Sequence, residues 1–189
     1  SIITGKIIDT LVHGNKLILP GMQASLSIEE YQFSEDEGKI LISSESESVY
    51  RRSSLSAYTI FDRKKGTLLE VSKKGKLAHA FFSPKNDKVG FVRDNNLFYL
   101  DLKDSSEYAI TTNGEFNKII NGATDWVYEE EFEFSKAFFW SPDGNRIAFY
   151  QFDERMVKEF TMETWGELYP EFYKFKYPFI VHVNTSLSN

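Results

Sequence analysis

The chain of 189 residues contains no cysteine and only three histidines, which are His13, His79 and His182. Disulfide bonds, thiol redox chemistry and cysteine nucleophiles are therefore excluded. A metal site usually shows His or Cys ligands at a regular spacing, and no such spacing surrounds the three histidines. We therefore expect no metal site and no cofactor in this chain.

Long apolar runs and basic tracts are also missing. No apolar run approaches the roughly 18 residues of a membrane-spanning helix. The N-terminus lacks the charged start and apolar core of a signal peptide, although a trimmed chain would have lost one. The net charge is −6, which disfavours nucleic-acid binding. We expect neither a membrane span nor a nucleic acid as a partner.

A recurring pattern predicts the fold. Aromatic residues and a serine, followed in the two clearer copies by a proline, precede a polar turn, a basic residue and an alternating apolar strand. The copies contain Ser34, Ser83 and Ser141, which are 49 and 58 residues apart, and the first copy is the weakest. Repeats of about 40–50 residues built from short strands are typical of a β-propeller. The predicted fold class is all-β, a partial β-propeller of three to four blades of antiparallel strands.

A propeller needs about 4–8 blades to close, so we expect this chain to be a piece of a larger protein. The predicted organisation is one incomplete propeller domain over residues 1–189. Within it we expect the end of a preceding blade over 1–24, a blade over 25–75, a blade over 76–134 and a blade with an extended arm segment over 135–189. Short strands are also predicted over 15–20 and 179–184.

Three consecutive carboxylates, Glu129, Glu130 and Glu131, end an aromatic-rich stretch over residues 121–132. Trp, Tyr and Phe on both sides favour a pinned backbone over a solvated acidic loop. The carboxyl pair of a glycosidase usually comes from separate elements, whereas a primary ammonium can donate hydrogen bonds to two adjacent carboxylates. Neighbours on a flat strand point to opposite faces. Convergence of two of these side chains therefore requires a helical turn or a bulge.

Residues 125–131, Asp-Trp-Val-Tyr-Glu-Glu-Glu, resemble the double-glutamate motif of the dipeptidyl peptidase IV family of serine peptidases. This resemblance implies an eight-bladed propeller in which Glu130 and Glu131 bind the free N-terminus of a peptide substrate. It also places Arg51, in the run Tyr-Arg-Arg-Ser, on the substrate-binding arginine of the family. The neighbouring Arg52 is given no role. The implied reaction removes Xaa-Pro or Xaa-Ala dipeptides from peptide N-termini.

The chain lacks the Gly-x-Ser-x-Gly elbow of an α/β-hydrolase, so we expect no catalytic residue in it. The resemblance implies that an α/β-hydrolase domain follows beyond Asn189 in the same polypeptide. The expected partners are that domain and peptides with a free N-terminus, and a homodimer is left open. Because the chain is free of cysteine, we expect a bacterial member of the family that is periplasmic or exported.

Two other functions stay open at this point. One is a non-catalytic interaction propeller, because the fold hosts many unrelated functions. The other is a prolyl tripeptidyl peptidase of the same clan, although its glutamate region differs from the run over 125–131. The segment over 173–178 resembles the start of the family's extended arm, and the direct passage from Pro178 to Phe179 indicates either a short arm or omitted residues.

Overall fold

The structure is a computed structural model that describes residues 4–6, 10–166, 169–177 and 186–187. In this part of the chain, small antiparallel sheets surround a single α-helix, α1 (Trp126–Phe132). The strands are β1 (Glu30–Phe33), β2 (Lys39–Ser48), β3 (Ser54–Asp62), β4 (Thr67–Glu70), β5 (Ala78–Phe82), β6 (Lys88–Arg93), β7 (Asn96–Asp101), β8 (Ser106–Ala109), β9 (Ile119–Asn121), β10 (Phe138–Trp140), β11 (Ile147–Phe149), β12 (Gln151–Asp153), β13 (Glu159–Thr164), β14 (Glu171–Lys176) and β15 (Ser186–Leu187).

Two four-stranded meanders contain most of the core. The first follows the order β1-β2-β3-β4 and the second follows β5-β6-β7-β8, with every neighbouring pair antiparallel. One buried cluster joins them, because Leu41 and Ile60 of the first sheet pack with Phe82, Phe91 and Leu100 of the second. Burial of such side chains stabilises each by roughly 1.5–3 kcal/mol. The two sheets therefore pack as adjacent blades.

The next unit begins with the pair β10-β11 and continues into β12, which lies between β9 and β15. It packs closely on the second sheet at Gly90. A Cβ at Gly90 would lie 2.9 Å from Cε2 of Phe138 and 3.2 Å from Cζ2 of Trp140. Only a glycine lets these rings reach the backbone of β6.

The repeated serines occupy the same place in each unit, at the turn between its first two strands. The hydroxyls of Ser34, Ser83 and Ser141 donate to Asp36, Asp87 and Asp143 at 2.7, 2.9 and 2.5 Å. Each hydroxyl also accepts a backbone N–H at, or one residue before, the start of the next strand, from Lys39, Lys88 and Arg146 respectively. The predicted repeat therefore has a physical basis, which is a serine that closes a hairpin turn.

The all-β prediction is confirmed, and the described sheets form no closed ring. The strand predicted over 15–20 is wrong, because Gly14–Lys16 forms a single 3₁₀ turn and no strand is described there. The strand predicted over 179–184 lies outside the described residues, as does Pro178. The blade boundaries stay a prediction. None of the helical residues that the structure describes makes a segment long and apolar enough to cross a bilayer.

Candidate functional site

The sequence predicts a helical turn or a bulge at the acidic motif, and the structure shows the helical turn, as helix α1. Asp125 is the N-cap, and its Oδ1 accepts the backbone N–H of Tyr128 at 2.8 Å. Such a cap satisfies a helix donor that would otherwise lack a partner. Glu133 ends the helix in a left-handed conformation, with a φ of 59°. The cap is buried, and this burial raises the pKa of Asp125.

Aromatic contacts fix the helix on two sides. The Tyr128 ring packs edge-on against Phe152 of β12, with 4.8 Å between ring centroids. On the other side the Trp126 ring packs against Phe175 of β14 at 4.5 Å and against Tyr177 at 5.5 Å. Aromatic pairs contribute about 0.5–1.5 kcal/mol each beyond their buried area. The aromatic flanks of the motif therefore hold the helix between a blade and the β13-β14 hairpin.

The three glutamates point in different directions, because successive residues of a helix are about 100° apart. Glu129 is buried, with 1% of its surface exposed. The side chain of Glu130 is 15% exposed, and Glu131 is exposed. The motif therefore places two neighbouring carboxylates towards the surface and one towards the interior.

Arg51 reaches this helix from the first sheet. It lies in the connection between β2 and β3, over residues 49–53. Its Nε lies 3.2 Å from Oε2 of Glu130, while its side chain stays 73% exposed. The structure therefore brings together Arg51 and Glu130, two of the three predicted substrate-binding residues, from positions 79 residues apart. The third, Glu131, follows on the same helix.

Two residues without an expected role complete the contact. Oε1 of Glu129 accepts the backbone N–H groups of Arg52 and Ser53 at 2.6 and 2.9 Å. The guanidinium of Arg52 also lies 3.1 Å from Glu133 Oε1 at the end of the helix. Arg52, to which the sequence assigns no substrate-binding role, lies outside the strands and contacts the end of the helix. Residues 51–53 contact the helix at three successive points.

The sequence alone does not distinguish Glu129 from its two neighbours. It lies four positions after Asp125, on the same face of the helix, but the burial of both residues is seen only in the structure. The pairing of Arg52 has no sequence signal either. It depends on the path of residues 49–53, which no periodic pattern describes.

A cavity of about 240 Å³ lies beside the helix. Its lining includes Glu129, Tyr50, His79 and Glu154. Glu154 is 5% exposed. Its burial, together with the negative charge of Asp125, raises its pKa to about 7, and the charge of Lys176 only partly opposes this shift.

Two other groups on this cavity are perturbed by burial. The pKa of His79 falls to about 4, because burial and the nearby charge of Lys136 disfavour the imidazolium. The pKa of Tyr50 is raised, first by burial and then by its contact with Tyr173. Burial therefore disfavours the charged forms of Tyr50, His79 and Glu154 on the cavity wall. Within residues 4–6, 10–166 and 169–177, no cluster of three or more acidic or histidine side chains has the geometry to hold a metal ion.

Comparison with known families identifies the chain. The family model described as the dipeptidyl peptidase IV N-terminal region matches residues 34–188. The chain belongs to the dipeptidyl peptidase IV family. The match includes Arg51 and the whole of helix α1, so the candidate site lies inside the family's own region.

Comparison with two relatives shows what fraction of a family member this chain covers. Dipeptidyl aminopeptidase B of Saccharomyces cerevisiae is 32% identical over 173 residues, covering 89% of this chain and 21% of the relative. The crystal structure of Porphyromonas gingivalis dipeptidyl peptidase 4 matches with a TM-score of 0.81 and 37% identity, covering 93% of this chain and 25% of that chain. This chain therefore spans between a fifth and a quarter of the length of these relatives and has the fold of an N-terminal propeller portion.

Proposed function

We propose that this chain is the substrate-recognition part of a dipeptidyl peptidase IV-like serine exopeptidase. In this function Glu130 and Glu131 bind the ammonium of a peptide N-terminus, and Arg51 binds a carbonyl oxygen further along the peptide. The observation that carries the proposal is the contact between Arg51 and Glu130 at the exposed edge of helix α1. The names of the two relatives, a dipeptidyl aminopeptidase and a dipeptidyl peptidase, support it.

The charges fit an ammonium. It has three donors, and a carboxylate has only acceptors. Each charge-assisted hydrogen bond contributes about 1.5–3 kcal/mol. Glu130 is partly shielded by the helix and by Arg51, so an ammonium there is screened less by water than at a fully exposed site. Glu131 is exposed and free to turn towards the same ligand.

Arg51 supplies a second fixed point. A guanidinium presents donors in a rigid plane and stays charged at physiological pH. Its Nε lies against Glu130, and the five N–H donors of a guanidinium leave further donors for a ligand oxygen. An anchored ammonium and an anchored carbonyl together limit how far the peptide extends past the site. This limit supports release of Xaa-Pro or Xaa-Ala dipeptides by a hydrolase domain of the same polypeptide.

The test uses the full-length protein that contains this chain. We would measure kcat/KM for Gly-Pro-anilide and for its N-acetylated form, in the wild type and in the double variant Glu130→Gln/Glu131→Gln. The free amine should be cleaved and the acetylated form should not. The double variant should lose about 100-fold or more in kcat/KM, because it removes two charge-assisted contacts of the ammonium.

The control is Glu35→Gln/Glu70→Gln, which removes two negative charges from exposed positions of the first sheet. It should change kcat/KM by less than about twofold. Equal cleavage of both substrates by the wild type would reject an ammonium anchor. Folded full-length protein that cleaves neither substrate would instead favour an interaction propeller.

A further inference from the structure

We propose that Glu129 is a positioning residue for the recognition site: one buried carboxylate oxygen fixes the backbone of Arg52 and Ser53, and thereby places Arg51 beside Glu130. This inference rests on the proposed function, and it assigns a separate task to the first glutamate of the motif. Glu129 itself does not contact the ligand, because its side chain faces the interior.

The geometry is that of a fixed anchor. Both hydrogen bonds end on the same atom, Oε1, at 2.6 Å from the nitrogen of Arg52 and 2.9 Å from that of Ser53. The carboxylate is 1% exposed, so water competes little for it. It sits on a helix whose Trp126 and Tyr128 rings are packed on both sides. The anchor is therefore more rigid than the segment that it holds.

The segment needs such an anchor. Residues 49–53 leave the strand ladder, and a bulge already shifts the register of the β2-β3 pair between Ser44 and Glu47. A bond from Val49 N to Ser53 O at 2.9 Å closes the segment on itself. The Arg51–Glu130 pair is too exposed on its arginine side to fix the backbone, since such ion pairs stabilise little. The two bonds to Glu129 are buried and charge-assisted, and these are the stronger kind.

Because both bonds end on a single oxygen, substitution by glutamine should affect Glu129 and Glu130 differently. A glutamine at position 129 keeps Oε1, and with it both acceptor contacts. A glutamine at position 130 loses the charge that an ammonium requires. Glu129→Gln should therefore be tolerated where Glu130→Gln is not. A role of Glu129 in binding the ammonium directly would make both substitutions equally harmful.

The kinetic test is a double-mutant cycle in the full-length protein, with Gly-Pro-anilide as substrate. Glu129→Ala should lower kcat/KM by about 10- to 100-fold through misplacement of Arg51, and Glu129→Gln by less than about threefold. In an Arg51→Ala background, Glu129→Ala should cost less than about threefold more, because the group it positions is already absent. Losses that multiply in the double variant, or a Glu129→Gln loss as large as that of Glu130→Gln, would overturn the proposal.

Amide hydrogen exchange provides a readout that does not depend on activity. In the full-length protein, Glu129→Ala should raise exchange in peptides that cover residues 49–55 by about tenfold or more, and Glu129→Gln should not. Peptides that cover β6 and β7 should exchange as in the wild type, which separates a local release from general unfolding. Unchanged exchange over 49–55 in Glu129→Ala would overturn the proposal. If acetylated substrate is cleaved as well as free amine while this exchange result holds, the proposed function fails and the anchoring of 49–55 stands.

Discussion

The two four-stranded sheets differ most in the connection between their second and third strands. In the second sheet, β6 and β7 are joined by Asp94 and Asn95 alone, with φ values of 49° and 57°. Positive φ at both central residues is the mark of the tight type I′ hairpin turn, which matches the twist of the flanking strands. In the first sheet the same connection has five residues, 49–53, and follows a bulge.

Both connections form hydrogen bonds at their tips with a segment later in the chain. The short connection accepts these bonds, and the long connection donates them. The carbonyl of Asn95 accepts two bonds from the buried Asn121, from its backbone N at 3.0 Å and from Nδ2 at 3.1 Å. The longer tip instead presents N–H groups to the carboxylate of Glu129. The neutral amide of Asn121 therefore binds the short connection. The carboxylate of Glu129 binds the long connection, and Arg51 beside it stays exposed.

The largest expected effect comes from exchanging one tip for the other. Replacing residues 49–53 by Asp-Asn should preserve the β2-β3 pairing, since Ser48 already pairs with Ser54. It removes Arg51 and both N–H donors to Glu129. We expect kcat/KM for Gly-Pro-anilide to fall by more than about 100-fold in the full-length protein, while the far-ultraviolet circular dichroism stays that of the wild type.

The matched control alters the other tip, as Asp94→Asn/Asn95→Gly. This pair of residues also suits a type I′ turn, and the carbonyl at position 95 remains for Asn121. Activity should stay within about twofold of the wild type. A tip exchange at 49–53 that leaves both activity and the preference for a free amine intact would remove this connection from the site.

The sequence predicted the repeated strands and turns of the sheets. It did not predict the contact between residues 49–53 and helix α1. The Ser-turn units that contain Ser34, Ser83 and Ser141 are local, because each serine closes a turn within five residues. Their repetition is therefore visible in the sequence, and it predicts the correct fold class. The acidic run over 129–131 stands out by its aromatic flanks, whereas the roles of Arg51, Glu130 and Glu131 come from the family resemblance.

The hydrogen bonds between residues 49–53 and helix α1 could not be predicted from a local pattern. Glu129 reaches Arg52 and Ser53 across 77 and 76 residues, so the contact depends on how two blades pack and on the path of an irregular segment. The strand predicted over 15–20 was wrong for a related reason. A short apolar run over 17–19 indicated a strand, but the 3₁₀ turn Gly14–Lys16 occupies the start of that segment.

A second, smaller effect tests how tightly the short tip is held. Gly114 lies against it, and a Cβ there would be 2.2 Å from the carbonyl oxygen of Asn95 and 2.7 Å from Nδ2 of Asn96. Backbone must then move, so Gly114→Ala should lower the free energy of unfolding by about 2–4 kcal/mol. Chemical denaturation of the full-length protein would measure this change.

Gly166 is the control for this substitution, because no atom in the described part of the chain lies within 4 Å of its Cβ position and its φ is not positive. Gly166→Ala should change the free energy of unfolding by less than about 0.5 kcal/mol. Equal effects of the two substitutions would mean that the segment containing Gly114 packs loosely, and that the short tip is no more firmly held than the long one.

The cavity between the two connections allows a test by pH. It is lined by Tyr50 and Ser53 of the long connection, by Asp94 and Asn95 of the short one, and by the buried Glu154. The pKa of Glu154 is raised from 4.5 to about 7. The native state therefore binds a proton between these values that the unfolded chain has released. Stability from this group is fully present below pH 4.5 and is lost as the pH rises to about 7, by about 2–3 kcal/mol.

The variant Glu154→Gln should be free of this dependence, so the wild type should lose stability relative to it across pH 4.5–7 and run parallel to it above. His79 contributes the opposite slope. Its pKa is lowered to about 4, so its share of stability is present above pH 6.5 and is lost as the pH falls towards 4. The variant, which keeps His79, should therefore lose stability on acidification more steeply than the wild type. Denaturation midpoints at half-unit pH steps would show this. Parallel curves across the whole range would mean that the cavity admits enough water to leave Glu154 ionised, and that the two connections do not enclose a dry space beside the helix.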